Sequence, residues 1–372
     1  MKTRSTGRAG TESGIALIVV MLVIVVLAVL ASAFAYSMKV EAALARNSGT
    51  QTELEWSARS VAEMARFLLG ESMNANQGVD DDNQFWAGGP MGTNEAILSV
   101  LGDTPPGIFG EPLIPQFELG DVLFDYQIED LERYYNVNIA DDFALRQALI
   151  LMQAEDVDGD LIIGSILDWI DPDDLQHPNG TESEYYERLD PPYLAKNGPI
   201  DDMTELLMIR GITPELFWGP NVGEHRSSAT YQQARTRFYE GEELTYPNGF
   251  ANLFTSISAS FVNMNTASDA VLQFVPGIDA NMANAIIMHR SGPDGIDGTD
   301  QDIPFRSVGE IASVVGLPPQ TAGALGRVFS TRSATFRVTI KVARGEHVGT
   351  WIAVMRRDSP TDVKILTFYR DS

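Results

Sequence analysis

The chain has 372 residues, of which 44% are hydrophobic, carries a formal net charge of -25 at pH 7 and contains no cysteine. That length holds one to three domains with ample apolar material for a core. The acidity argues against nucleic acid as a main partner, because binding a polyanion needs a basic surface that releases counterions. The missing cysteines exclude disulfides, thiolate zinc sites and cysteine catalysis.

In chain order, a short basic leader with Lys2, Arg4 and Arg8 comes first, followed by a run from Ser13 to Met38 without a charged residue. As a helix, Ile15–Ala35 matches the ~30 Å hydrocarbon core of a bilayer. The run is too long for the ~7–15-residue apolar core of a secretory signal, although Ala31-Ser32-Ala33 mimics a cleavage site. Two readings stand side by side. One is a plain signal anchor, with the leader in the cytoplasm by the positive-inside rule. The other attends to Gly14-Ile15: a lone glycine between a basic leader and an apolar run resembles a type IV prepilin cleavage site. In that family the leader is cut after the glycine and the new amine is methylated. Counting from Ile15, the fifth residue is Val19, where most pilins carry a glutamate that neutralises a neighbouring subunit's amine. A subunit lacking it fits the end of a filament.

Beyond Met38 the helical pattern continues through Glu41–Arg46, weakens at Asn47-Ser48-Gly49, and resumes with Leu54, Val61, Met64, Ala65 and Leu68 on one face, with Gly70 as the expected stop. Residues 74–120, rich in Gly, Pro, Asn and Asp, read as loops with a short helix near Glu95–Leu101. Asp121–Ile139 alternates and predicts one or two strands. Residues from about 141 to 330 read as mainly helical, over Phe143–Gln153, Leu161–Ile170, Met203–Ile209, Ala267–Val275, Asn281–Arg290 and Ser307–Val314. Residues 225–250 give no clear pattern, and Thr255–Met264 reads as a strand. Thr335–Ala343, Thr350–Arg356 and Val363–Arg370 predict a three-stranded antiparallel meander.

Three stretches bear on chemistry. Between Asp168 and Glu184 lie six carboxylates: Asp168, Asp171, Asp173, Asp174, Glu182 and Glu184. Like charges gathered on a loop repel unless they are solvated or hold a cation. Oxygen-only ligands on a flexible loop suit calcium, and a solvated acidic loop is the plainer alternative. The acidic loops Asp156–Asp160 and Asp294–Asp302 do not have EF-hand spacing. Finally, Val275-Pro276-Gly277-Ile278-Asp279 between helical segments resembles a helix-hairpin-helix. Asp279 stands where DNA-binding versions have a second glycine and would repel phosphate, so a structural hairpin is expected. There is no phosphate loop, no His-Glu-x-x-His and no Gly-x-Ser-x-Gly, and the four histidines are scattered, so no enzyme is expected.

Taken together, these features resemble the minor pseudopilin K family of type II secretion, also called general secretion pathway protein K. The residues that carry the resemblance are Gly14 before a helix lacking the fifth-position Glu, Asn136-Val137-Asn138, Asp168-Trp169-Ile170-Asp171-Pro172-Asp173-Asp174, Gly180-x-Glu182 with Tyr186, Asn197-Gly198-Pro199-Ile200, Asn263-x-Asn265-Thr266-Ala267 and Pro276-Gly277-Ile278. The resemblance implies an α+β, pilin-like fold: a long N-terminal transmembrane helix on a small antiparallel sheet, with a large, mainly α-helical inserted domain that contains the hairpin unit. The boundaries it suggests are a leader at 1–14, the helix at 15–70, a pilin-like part at 71–140, the insertion at 141–330 and the terminal strands at 331–372. It further implies cleavage by a prepilin peptidase at Gly14-Ile15, a tip complex with minor pseudopilins I and J above H and the pseudopilus, and bound calcium. The implied location is the bacterial inner membrane, with a single pass, a cytoplasmic N-terminus and a periplasmic C-terminal domain. A type IV pilus-related minor pilin, or an anchored helix-hairpin-helix binding protein, is the alternative.

Overall fold

The computed structural model describes residues 12–75, 78–89, 117–119, 122–238, 245–317 and 325–371. The expected short helix near Glu95–Leu101 lies outside them. One helix, α1 (Glu12–Ala75), runs unbroken for 64 residues, about 96 Å at 1.5 Å per residue. Its segment Leu17–Ala42 is apolar and wholly exposed, long enough to cross a bilayer.

The second half of α1 acquires a buried face, with Leu54, Ala58, Val61, Ala62, Ala65, Leu68 and Leu69 all nearly inaccessible. That face lies on a five-stranded antiparallel sheet in the order β1 (Phe117–Leu119), β2 (Val122–Asp130), β7 (Thr335–Arg344), β8 (His347–Ser359), β9 (Asp362–Asp371). Alternate residues supply its inner side, among them Phe124, Tyr126 and Ile128 from β2, Val338 and Ile340 from β7, and Trp351 and Met355 from β8. Trp86 closes the sheet's end edge-on to Phe336, 5.1 Å between ring centroids.

Gly70 does not stop the helix. A Cβ there would collide with the Pro360 carbonyl, so the glycine marks a close approach between α1 and the β8–β9 turn. The terminal meander is present as expected and belongs to a larger sheet, because β2 pairs with β7 from Leu123↔Ala343 to Asp130↔Phe336. Everything between Asp130 and Phe336 is therefore inserted between two neighbouring strands.

The insertion is helical with its own core. Helices α2 (Asp142–Leu151) and α3 (Gly159–Ile170) start on aspartate caps, Asp141 accepting from Ala144 N and Asp158 from Leu161 N. Helices α4 (Ala229–Phe238) and α5 (Ala280–Arg290) complete the longer ones; α4 occupies part of the stretch whose sequence gave no clear pattern. Several expected helices are shorter: Met203–Met208 is a 3-10 helix, and the segment after Ala267 is helical only at Asp269–Leu272. Thr255–Met264 is not one strand. It contributes to two pairs, β4 (Phe254–Thr255) parallel to β3 (Tyr135–Asn136) and β5 (Val262–Asn263) parallel to β6 (Phe329–Ser330).

Candidate metal site in the inserted unit

Helix α3 buries Ile162, Ile163, Ile166 and Trp169, and this fixes the direction of its last turn. Asp168 lies in that turn and is wholly buried. The chain then turns extended at Asp171 and folds back along the helix. Two glycines permit the contact. A Cβ on Gly164 would sit 2.7 Å from Gly180 N, and one on Gly180 would sit 2.8 Å from Asp168 Cγ and closer still to Oδ2. Asn179 adopts a left-handed φ of 62°, and Ser165 Oγ is 2.8 Å from Thr181 Oγ1, which pins the returning strand.

The fold-back gathers carboxylates. Asp168 Oδ1 accepts from His177 N (2.8 Å) and lies 2.7 Å from His177 Nδ1. His177 Nδ1 is also 3.4 Å from Asp171 Oδ2, and the ligand atoms of Asp168, Asp171 and His177 all lie within 4.8 Å of one another. Five side-chain oxygens here are buried without a hydrogen-bond partner: Asp168 Oδ2, Asp171 Oδ1, both oxygens of Glu182, and Asn197 Oδ1. Asn197 is aimed by its amide, which donates to Asp173 O (3.0 Å) and Asp174 Oδ1 (2.8 Å).

Electrostatics follow from the crowding. Burial, and then repulsion from Asp168, Asp171 and Asp174, pushes the Glu182 carboxyl up to about 7. Asp171 is raised by burial and then by Asp173, with His177 pulling the other way and Asp168 adding a weaker push upward. Buried acceptors without donors are costly, and a cation relieves both that deficit and the repulsion. The orphaned atoms are all oxygens, carboxylate and amide, the donor set of a hard cation such as calcium.

Of the six carboxylates expected to act together, the structure brings Asp168 and Asp171 to one point, and Glu182 and Asp174 lie near enough to interact electrostatically with them. Asp173 is exposed and its Oδ1 accepts from Leu175 N. Glu184 is exposed and pairs with Arg188. His177, unassigned from the sequence, joins the group, and Asn197, also unassigned, is tied to its edge through Asp173 and Asp174. Gly14 and Ile15 fall in the first turn of α1, and Val19 is half exposed on the membrane-length segment.

The other acidic loops use their oxygens internally. Asp156 accepts from Tyr246 OH (2.9 Å), Asp158 caps α3 and Asp160 pairs with Arg146. Asp297 pairs with Arg290, while Asp294 and Asp302 accept from their own loop. At the hairpin, Asp279 Oδ1 accepts from Met282 N (2.9 Å), so the start of α5 is occupied by the chain's own carboxylate.

With this geometry in hand, similarity to known proteins can be stated. Residues 128–218 match the family described as type II secretion system (T2SS), protein K, and residues 258–326 match the helix-hairpin-helix motif. The chain is 24% identical over 225 residues to type II secretion system protein K of Aeromonas hydrophila, covering 55% of this chain and 61% of that protein. It is 23% identical over 219 residues to a putative type II secretion system protein K of Escherichia coli strain K12, covering 55% and 60%. The chain thus spans about three fifths of the curated relatives it matches. Its fold is similar to a chain in the crystal structure of the GspK-GspI-GspJ complex from the enterotoxigenic Escherichia coli Type 2 Secretion System, with TM-score 0.59 and 17% identity over 88% of this chain and 99% of that one. The resemblance to the protein K family drawn from the sequence is borne out, and so is the pilin-like α+β fold.

Proposed function

We propose that this chain is a non-enzymatic minor pseudopilin of the K type, seated at the tip of a type II secretion pseudopilus, where it initiates assembly and limits filament length during protein export. The observation that carries the reading is the helical unit inserted between the paired strands β2 and β7 of a sheet that lies on the second half of α1, beyond its membrane-length segment. A bulky unit at that position, together with Val19 in place of a glutamate, suits a subunit with nothing above it.

In this reading the chain is made as a prepilin. A prepilin peptidase removes residues 1–14, the amine of Ile15 is methylated, and Leu17–Ala42 anchors the protein in the inner membrane with the remainder in the periplasm. The inserted domain, expected at 141–330, starts where β2 ends at Asp130 and closes before β7 begins at Thr335, so the pilin-like part is shorter at both joins than the expected 71–140 and 331–372. The partners are minor pseudopilins I and J, with H and the pseudopilus below. N-terminal sequencing of the mature protein, alongside co-purification with I and J, tests the reading: a chain beginning at Ile15 is expected, and one beginning at Met1 or after Ala33 overturns it. The anchored helix-hairpin-helix alternative predicts salt-dependent DNA binding, which Asp279 at the hairpin disfavours.

The proposal includes a calcium ion held by Asp168, Asp171, Glu182 and Asn197. Bound there, it would neutralise the carboxylates and fasten the 171–182 fold-back to the end of α3.

A further inference from the structure

The sheet core and the helical core are two separate hydrophobic clusters. At the seam between them lie buried polar groups: Asp80, Asp130, Asn263, Thr266, Ser333 and Arg357, all 5% exposed or less. We propose that Asn263 and Thr266, by gripping the Asp130 carboxylate, are positioning residues that set the direction of the inserted unit relative to α1.

Asp130 is the last residue of β2, where the chain leaves the sheet, and Ser333 stands just before β7, where it returns. Asp130 Oδ1 accepts from Glu132 N (2.8 Å). Its Oδ2 accepts from Thr266 Oγ1 (2.6 Å), Ser333 Oγ (2.6 Å) and Asn263 Nδ2 (3.1 Å). Asn263 Nδ2 also reaches Asp80 O at 3.0 Å. Asp80 in turn receives Ser333 N (2.9 Å) and the Arg357 guanidinium (2.6 Å), and the same guanidinium donates to Leu69 O (3.0 Å) on α1. A continuous chain of hydrogen bonds therefore runs from the inserted unit to the helix.

The donors around Asp130 come from the sheet's exit, the sheet's return and the inserted unit. Burial and the neighbouring Glu132 push the Asp130 carboxyl up to about 8; with or without that proton, Oδ2 meets its three donors along fixed directions. Swinging the inserted unit away withdraws Asn263 and Thr266 and leaves a buried carboxyl oxygen short of donors, which is disfavoured. Apolar contact is non-directional and sets no such angle. The spacing follows: Asn263 ends β5, whose pairing with Ser330 fixes it, and Thr266 lies in the turn just beyond, facing the same carboxylate.

The absence of native cysteine permits clean labelling. The full chain in detergent, carrying Glu63→Cys on the exposed face of α1 and Glu224→Cys on the inserted unit, is spin-labelled at both sites and the distance distribution is measured. The background chain is expected to give one narrow distribution and one melting transition. Asn263→Ala with Thr266→Ala is expected to broaden the distribution and split the melt, with far-ultraviolet circular dichroism retained. Thr266→Ser, which keeps the hydroxyl, is expected to behave as the background does. If the double variant does not fold, Thr266→Val alone is judged by the same distribution. A variant that melts at lower temperature with an unchanged distribution overturns the proposal, since the residues would then stabilise without positioning.

Discussion

Glu182→Gln distinguishes a cation site from a solvated acidic loop, because the two demand opposite orders of stability. Two carboxylate oxygens 4.8 Å apart, the separation bounding Asp168 and Asp171, repel by about 3.5 kcal/mol at an effective dielectric constant near 20. Glu182 adds a third charge to this group. At pH 8 with chelator, removing that charge relieves repulsion, so the variant should melt above the wild type. With calcium at a hundredfold its dissociation constant, the wild type gains about 2.7 kcal/mol, roughly 5–11 °C for a domain of 150–250 residues. The variant has lost an anionic ligand and gains less, so the order should reverse. Thermal melts of both proteins in both buffers are the assay. A wild type whose midpoint does not respond to calcium, or midpoints in the same order in both buffers, would refute the reasoning.

Other outcomes follow from the same geometry. In chelator, Glu182 holds a proton in the folded state up to about 7 that the unfolded chain loses near the ordinary glutamate value of 4.5. Its contribution to stability is therefore fully present below about 4.5 and is lost as pH rises toward about 7; the wild-type melting point should fall across that window more steeply than that of Glu182→Gln. Gly180→Ala forces a methyl onto Asp168, so a loss of about 1–3 kcal/mol by denaturant unfolding is expected, together with loss of the calcium response. Arg357→Met leaves Asp80 buried without its counter-charge and should destabilise by about 3–5 kcal/mol in the same assay.

What was legible in the sequence was periodic. The apolar run, the spacing from Leu54 to Leu68 and the alternation after Thr335 each repeat long enough to declare a helix or strand. The parallel pairs β3–β4 and β5–β6 are two residues long and carry no period. The β2–β7 pairing joins Asp130 to Phe336, and no local pattern announces a partner so distant. Gly70 was misleading because the residue that ends helices also permits a backbone to approach one. Carboxylate density singled out the 168–184 loop and could not sort its members into those that face inward and those that face solvent. Glu182 precedes the helical turn Ser183–Tyr186 in extended conformation and faces inward, whereas Glu184, two residues on, faces solvent and meets Arg188. Asn197 arrives from a different segment and takes its aim from a left-handed φ of 47°, which a list of residue types does not convey.

Two of the stretches that carry the resemblance therefore work on the same unit from opposite ends. Asp-Trp-x-Asp places Trp169 in the helical core, edge-on to Tyr186 at 5.5 Å, and turns Asp168 onto the loop that folds back over α3. Asn-x-Asn-Thr-Ala ties that unit to Asp130 and, through Asp80 and Arg357, to α1. Neither presents an activated nucleophile to solvent; Asp168, Asn263 and Thr266 are all wholly buried. The most distinctive residues of the chain are thus spent on the shape of the insertion and on its attachment to α1.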